Sequence, residues 1–351
     1  MRLDHAAIGN GRLLALVSPT SSIDWLCLPR WDSASVFGRL LDEQQGGTFR
    51  IDDAEQGEIG GSLAYLRNTN VSRIEVRSGD AAWEVIDFAP RLPMGLTVQA
   101  PLVLVRLVRP LAGAPRLRIV FDPRPDYARA EPRLHEAGGG IVVEGAGMPL
   151  VLRTNVSHAY VLEQRPFVLT EPAWFVLGDG PDDHAWDLAR VQHDLERTVS
   201  GWRAWAQSLA LPSFHPEAVL RSALVLKLHT SEDTGAVIAA ATTSIPEALG
   251  TPRTWDYRYC WLRDAAFVVE VMRRLGHVME GERFMRFLRD VTLEGALQPV
   301  YGAAGERNLE EIMLPHLAGF RGNGHVRIGN AAYFQRQHDL TGELILCLDV
   351  L

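Results

Sequence analysis

The sequence predicts a β-sandwich followed by an all-α domain. Its first half is filled with short runs of β-branched and aromatic residues, separated by Gly, Pro and Asp clusters. From about residue 182 the apolar period lengthens to the steps of three and four that mark helices. The 351 residues also exceed one ordinary domain. The expected division is a sandwich over residues 1–181, a helical linker over 182–213 and a helical domain over 214–351.

In the sandwich, Ile74 and Val76 alternate with Arg73, Glu75 and Arg77, and Leu117, Ile119 and Phe121 alternate around Arg118. Leu102 to Val108, Ile141 to Val143, Leu150 to Leu152 and Trp174 to Leu177 read as further strands. Turns are expected at Gly9 to Gly11, Gly113 to Pro115, Asp122-Pro123, Gly138 to Gly140 and Gly178 to Gly180. The Gly138 to Gly140 run lacks the Lys-Ser/Thr and the following helix of a phosphate loop. Leu195, Val199, Trp202, Ala206 and Leu209 form the stripe of a connecting helix, started by Asp182 and Asp183 and expected to pack on the helical domain.

Pro216 suits the first turn of a helix reaching Leu228. A small-residue connection, Gly235 to Thr243, leads to a further helix beginning after Asp264. That helix carries Val268, Val271 and Leu275 on one face and stops at Gly276. Phe284, Phe287, Leu288 and Val291 form the buried stripe of the next helix, with Arg283, Arg286 and Arg289 toward water. A last helix is expected from about Asn330 to the end. Its terminal run, Leu344 to Leu351, has no glycine or basic residue to close it, so the chain is expected to be cut off or covered by another chain.

A net charge of −8 disfavours nucleic acid and anionic membrane as partners. Cys27, Cys260 and Cys347 match no zinc spacing, so no metal and no cofactor are expected. Their sparse, odd number fits a reducing compartment, and a cytoplasmic location is expected.

Chemistry concentrates between Trp255 and Asp264, where ten residues hold two Trp, two Tyr, two Arg and two Asp. Aromatic faces accept C–H edges and cations, while Asp and Arg exchange charge-assisted hydrogen bonds with hydroxyls. A sugar ring needs that mixture. The competing reading is a packed aromatic core with a helix-start carboxylate. Elsewhere, Glu306, Glu310 and Glu311 read as solvated surface. Asp24, Asp32 and Asp256 read as turn or capping residues, with Asp256 also a support for the pocket rim. Cys260 reads as a small packed residue.

The order of motifs resembles glycoside hydrolase family fifteen, the bacterial glucoamylase and trehalase-like proteins. The resemblance rests on Ile8 to Arg12, Ser22 to Pro29, Ala241 to Glu247, Trp255 to Asp264, Leu314 to Gly322 and Val326 to Ala331. It implies an (α/α)6 toroid, here incomplete, with less than half the barrel present. It places Tyr257 under the reacting sugar and Trp261 on the pocket wall. Arg263 and Asp264 would grip hydroxyls of the terminal glucose, and Arg327 would join from the next loop.

The implied activity is inverting hydrolysis of terminal α-glucosidic bonds. One carboxylic acid protonates the leaving oxygen, and a carboxylate roughly 6.5–9.5 Å away activates water. The family's Trp-Glu acid motif does not follow the Arg327 region, so no catalytic residue is assigned within the chain. The general acid and base are expected beyond Leu351, and this chain alone is expected to be inactive. The expected partners are an α-glucoside or α-glucan substrate and the remaining part of the barrel. The alternative is a non-catalytic sugar-binding or regulatory remnant of such an enzyme.

Overall fold

The computed structural model describes residues 3–95, 97–179, 186–293 and 295–349. The expected helix start at Asp182 and Asp183, and the final Val350 and Leu351, lie outside the described residues. The chain divides into two compact units, Met1–Pro29 with Ser33–Arg203, and Arg30–Asp32 with Ala204–Leu351.

The first unit is built on two large antiparallel sheets. One runs in the order Ala6–Gly9, Leu14–Val17, Ser22–Cys27, Thr48–Asp53, Arg116–Asp122 and Phe167–Val168, with Ser35–Phe37 paired to Ser22–Cys27. The other runs Arg133–Ala137, Gly140–Glu144, Leu150–Thr154, Ala173–Asp179, Val103–Ala112, Ala81–Phe88, Ser72–Ser78 and Ser62–Tyr65. One apolar core draws on both, with Ile23, Phe37 and Phe121 from the first and Trp83, Leu104 and Leu177 from the second. Phe49 meets Phe175 edge-on across it, with ring centroids 5.8 Å apart.

Alternation sets the register. Ile74 and Val76 lie opposite Val85 and Trp83, and all four point into the core. The expected turn at Gly9 to Gly11 forms, with Gly11 at φ +91° and the Asn10 carboxamide oxygen accepting from the amides of Arg12 and Leu13. Gly178 and Asp179, expected in a turn, instead continue a strand, where Gly178 lies opposite Val103 and Val151. There a Cβ on Gly178 would come within 2.3 Å of the Val103 side chain, so the glycine serves close packing within the sheet.

The helix Leu188–Gln207 follows. Thr198 and Trp202 pack on Arg91 within the first unit, and Trp205, within the second, packs on His277 with ring centroids 4.7 Å apart. The Thr198 hydroxyl accepts from the Arg91 amide, and the Arg91 guanidinium stacks on Trp202 at 4.8 Å.

The second unit holds the helices Pro216–Leu228, Leu262–Arg274, Val278–Leu293 and Leu340–Asp349. Pro216 occupies the first turn, as expected. The Leu262 helix ends in a Schellman arrangement: Gly276 at φ +88° donates to Arg273 O, and His277 donates to Met272 O. Its buried residues are Leu262, Ala265, Ala266, Val269 and Met272; of the expected face, Leu275 is buried and Val268 packs partly buried on the core, while Val271 is exposed and is corrected. Ala265 and Ala266 share the buried face with Val269, which is 1% exposed. Phe284, Phe287, Leu288 and Val291 are buried as expected, but Arg283 turns inward to pair with Glu232.

The expected continuous last helix is interrupted. Asn330 caps a short 3-10 turn, Ala331–Phe334, by accepting from the Ala332 amide at 3.0 Å. Gln335 is extended, and the helix proper begins at Leu340. The polar run Gln335 to Asp339 offers no apolar stripe to bury, so nothing draws it into a helix.

Candidate active site

The Trp255 to Asp264 segment is held from both ends. Thr254–Asp256 pairs with Thr243–Pro246, and Cys260–Trp261 pairs with Val300–Tyr301. Between them the amides of Ala240 and Ala239 donate to the carbonyls of Tyr257 and Tyr259 at 2.9 and 3.0 Å. An extended backbone sends alternate side chains to opposite faces. Asp256 and Arg258 therefore share the inner face, and Tyr257 the outer one.

Asp256 and Arg258 are both fully buried and meet fork to fork, with Nε to Oδ1 at 2.9 Å and Nη2 to Oδ2 at 2.6 Å. Asp256 also accepts from the Gly329 amide through Oδ2, and its carbonyl accepts from Asn330 Nδ2. Arg258 donates to the Trp31 carbonyl. The sequence offered Asp256 as a turn residue or rim support. It is the buried anchor that ties the segment to the Arg327–Asn330 loop. A helix here starts at Leu262, three residues earlier than expected, so Arg263 and Asp264 fall within its first turn.

The predicted site residues fall in two groups. Tyr257 is 37% exposed, and its ring centroid lies 5.4 Å from that of Trp261 at an interplanar angle of 57°. Partial burial, with Glu247 and Asp264 adding negative charge, pushes the Tyr257 phenol above its usual range, which keeps it neutral. Trp261 is 6% exposed and packs with Tyr259, Val300 and Leu309. Arg263 donates to Gln337 Oε1 at 2.9 Å and Asp339 Oδ2 at 3.0 Å, and lies 3.7 Å from Asp264. The Asp264 side chain is 47% exposed.

Arg327 stands in the second group. Its guanidinium stacks on Trp255 at 4.5 Å and donates to Glu311 at 2.7 Å and to the Pro252 carbonyl at 3.1 Å. Its backbone is clamped by the Thr243 and Ser244 hydroxyls, which donate to its carbonyl, while its amide donates to Ser244 Oγ. Ser244 adopts φ +59°, a conformation unusual for a residue with a side chain.

The surface reading holds for Glu306 and Glu310, which are exposed, and needs correction at Glu311, which is partly buried. Glu306 pairs with Arg30, whose guanidinium also meets Asp32, and Glu311 pairs with Arg327; Glu310 is exposed. Cys260 is fully buried, and burial pushes its thiol up to about 12, which leaves it inert. Among the described residues, no group of three or more His, Cys, Asp and Glu side chains could hold a metal ion. No helix among them is long and apolar enough to cross a membrane.

Gln337 and Asp339 were not singled out by the sequence, since nothing in a polar run announces which members turn toward Arg263. The Trp255–Arg327 stack joins positions far apart in the chain and had no local signature either.

Residues 2–168 match the family of trehalase-like N-terminal domains, and residues 213–349 match the family 15 glycosyl hydrolases. A trehalase of Mycobacterium tuberculosis is 33% identical over 97% of this chain and 55% of its own length. A trehalase of Thermoplasma volcanium is 31% identical over 97% of this chain and 55% of its own. Trehalase 1 of Sulfolobus acidocaldarius is 33% identical over 96% of this chain and 58% of its own. The chain thus spans little more than half the length of the curated relatives it matches.

Proposed function

The chain belongs to the family 15 glycosyl hydrolases, with a trehalase-like N-terminal domain, and from that premise we propose that the complete polypeptide is an inverting hydrolase of terminal α-glucosidic bonds acting on trehalose. The observation that carries this reading is the Trp255 to Asp264 segment: a buried Asp256–Arg258 anchor carries an exposed tyrosine, a tryptophan and an Arg–Asp couple on one short stretch. The names of the curated relatives favour trehalose over a glucan.

In this proposal the sandwich occupies residues 1–181, the linker 182–213 and the first part of an (α/α)6 toroid 214–351. Tyr257 supports the positive charge that develops on the reacting ring, and its protonated phenol keeps it neutral there. Trp261 lines the wall. Arg263 and Asp264 bind the hydroxyls of the terminal glucose, each charge-assisted hydrogen bond contributing about 1.5–3 kcal/mol. Arg327, already clamped to Glu311 and Trp255, acts from the adjoining loop by fixing its shape.

The neighbouring carboxylates of Asp256, Glu247, Glu306 and Glu311 are each engaged by an arginine. That supports placing the general acid and base C-terminal to Leu351, separated by room for the attacking water.

The test is hydrolysis of trehalose, maltose and isomaltose by the complete polypeptide, with the anomer first released from maltose followed by NMR. Trehalose cleavage, initial release of β-glucose and strong impairment by Asp264→Ala are expected. Full activity in that variant overturns the role of Asp264. Sugar binding without turnover of any of the three would identify a non-catalytic remnant instead.

A further inference from the structure

The polar run Gln335 to Asp339 reaches the candidate site through Arg263, and the reading above gives it no task. Its backbone is extended at Gln335, and the helix Leu340–Asp349 begins directly after Asp339. Asp339 therefore stands where a helix cap stands, and its carbonyl accepts from the Glu343 amide. An aspartate there ordinarily turns its carboxylate onto the amides two or three residues on. Among the described residues, the Asp339 carboxylate instead has one hydrogen-bond donor, Arg263 Nη1, 3.0 Å from Oδ2. Gln337 Oε1 accepts from the same nitrogen at 2.9 Å. The Gln337 Nε2 donates to Gln335 Oε1 at 3.2 Å, which fixes the end of the amide that faces the arginine.

Both acceptors hold one nitrogen. Nη2 is left on the side of Asp264, 3.7 Å from its Oδ2, too far for a hydrogen bond. The Arg263, Asp264 and Asp339 side chains are 33%, 47% and 51% exposed, so a molecule from solvent reaches all three. Charge pairs this open add little to stability. An arginine that merely neutralised Asp264 needs no second carboxylate and no amide on its far nitrogen. A donor and an acceptor 3.7 Å apart are bridged by a group that accepts from one and donates to the other. A hydroxyl does both. An anion would be repelled by Asp264 and Asp339, and a cation by Arg263.

Resting on the function proposed above, we infer that Asp339, with Gln337, is a positioning residue of the sugar site. It holds Nη1 of Arg263, so that Nη2 and Asp264 share one hydroxyl of the terminal glucose, Nη2 donating to its oxygen and Asp264 accepting from it. Without Asp339 the guanidinium is free to turn, and binding must also order it. The loss therefore falls on binding and reads in KM rather than in kcat.

The experiment uses the complete polypeptide and two readouts. Nitrogen-15 NMR of the Arg263 guanidinium, assigned with Arg263→Lys, reports how it is held. Nη1 and Nη2 should give separate signals in the wild type and merge through rotation in Asp339→Ala. Kinetics on trehalose report the use of that hold. Asp339→Ala should raise KM about tenfold with kcat changed less than about threefold, and Asp339→Asn, which keeps an acceptor, should regain most of the loss. Should Asp339→Ala not fold, Asp339→Ser takes its place, since serine keeps a helix cap but is too short to reach Arg263. Merged signals in the wild type, or separate ones in Asp339→Ala, overturn the proposal. So does an unchanged KM in Asp339→Ala beside a strongly impaired Asp264→Ala, a result that leaves the proposed function standing. Full activity in Asp264→Ala with the Arg263 signals still separate removes the proposed role of Asp264, and the shared hydroxyl with it.

Discussion

Asp87–Arg106 in the sandwich and Asp256–Arg258 in the helical unit are both fully buried pairs, with closest approaches of 2.8 and 2.6 Å. Their surroundings differ. Arg106 also donates to the carbonyls of Phe49 and Ser21 and lies over the Phe49 ring, so it ties one sheet to chain from the other. Its strand neighbours Val105 and Leu107 are themselves buried. The Asp256–Arg258 pair reaches Gly329, Asn330 and Trp31, all in irregular segments, and the residue between the two charges is the partly exposed Tyr257. One pair closes a core. The other holds a short segment rigid so that a tyrosine, and just beyond it an Arg–Asp couple, can stay open to solvent. Preorganised groups on a rigid support are what sugar recognition requires.

The largest effect that sharpens this contrast is expected in the sandwich. Arg106→Met strands the Asp87 carboxylate and should cost about 3–5 kcal/mol, read by urea unfolding of the first unit. A loss below about 1 kcal/mol, no more than a neutral hydrogen bond gives, would mean that the pair does not close the core.

The helical unit has its own buried charges away from the motif. Lys227 Nζ lies 2.9 Å from Glu232 and 3.1 Å from Glu280, all three nearly inaccessible. Burial opposes charge on Glu280, yet His277 and Lys227 hold its carboxyl well below the usual carboxylate range. A depressed folded-state value gives a stability contribution that is complete above the unfolded value of about 4.3 and fades as pH falls below it. Glu280→Gln should therefore lose about 3 kcal/mol at pH 7 and unfold with a flatter acid limb than the wild type. Parallel acid limbs in the two proteins would sink the assignment.

Smaller, and confined to activity, is the effect at Asp264. Its exposed side chain should be removable with a stability change within about 0.5 kcal/mol. In the complete polypeptide, Asp264→Ala should lower kcat/KM for trehalose by about 10- to 100-fold, the value of one charge-assisted hydrogen bond. A variant that loses stability instead of activity would make this carboxylate another structural charge and erase the distinction between the two regions.

The sequence was most legible where one rule acted alone. Ile74 and Val76 read as a strand because polar residues alternate with them, and Phe284 to Val291 read as a helical stripe because large side chains mark the period. The strand Ala81–Phe88 went unread because Glu84 and Asp87 interrupt its apolar pattern. Both are buried, satisfied by arginines on other strands that no local window contains. On the Leu262 helix Val271 was placed on the buried face and is exposed, since Ala265 and Ala266, which carry little hydrophobic signal, share that face with Val269. In the candidate site, the residue types were visible as a cluster. Which of them is anchor and which is open was not, since that depends on pairing between Asp256 and the Gly329–Asn330 loop, more than seventy positions away.

The smallest expected effect concerns how Arg327 is held. Its guanidinium lies 4.5 Å from the Trp255 ring centroid but also donates to Glu311 and Pro252, and hydroxyls of Thr243 and Ser244 fix its backbone. With that much support, Trp255→Leu should cost only about 0.5–1 kcal/mol of stability, the value of a partly exposed cation–π contact. Glu311→Gln leaves the stack but removes a charge at 2.7 Å, so combining the two changes tests whether they share one task. Contacts on a common side chain couple, and their joint loss should exceed the sum of the separate losses. Simple additivity, measured by a double-mutant cycle on the second unit's unfolding, would mean that the loop keeps its shape through Thr243 and Ser244 alone. Arg327 would then be a passenger on the loop, and the site would reduce to the four residues from Tyr257 to Asp264.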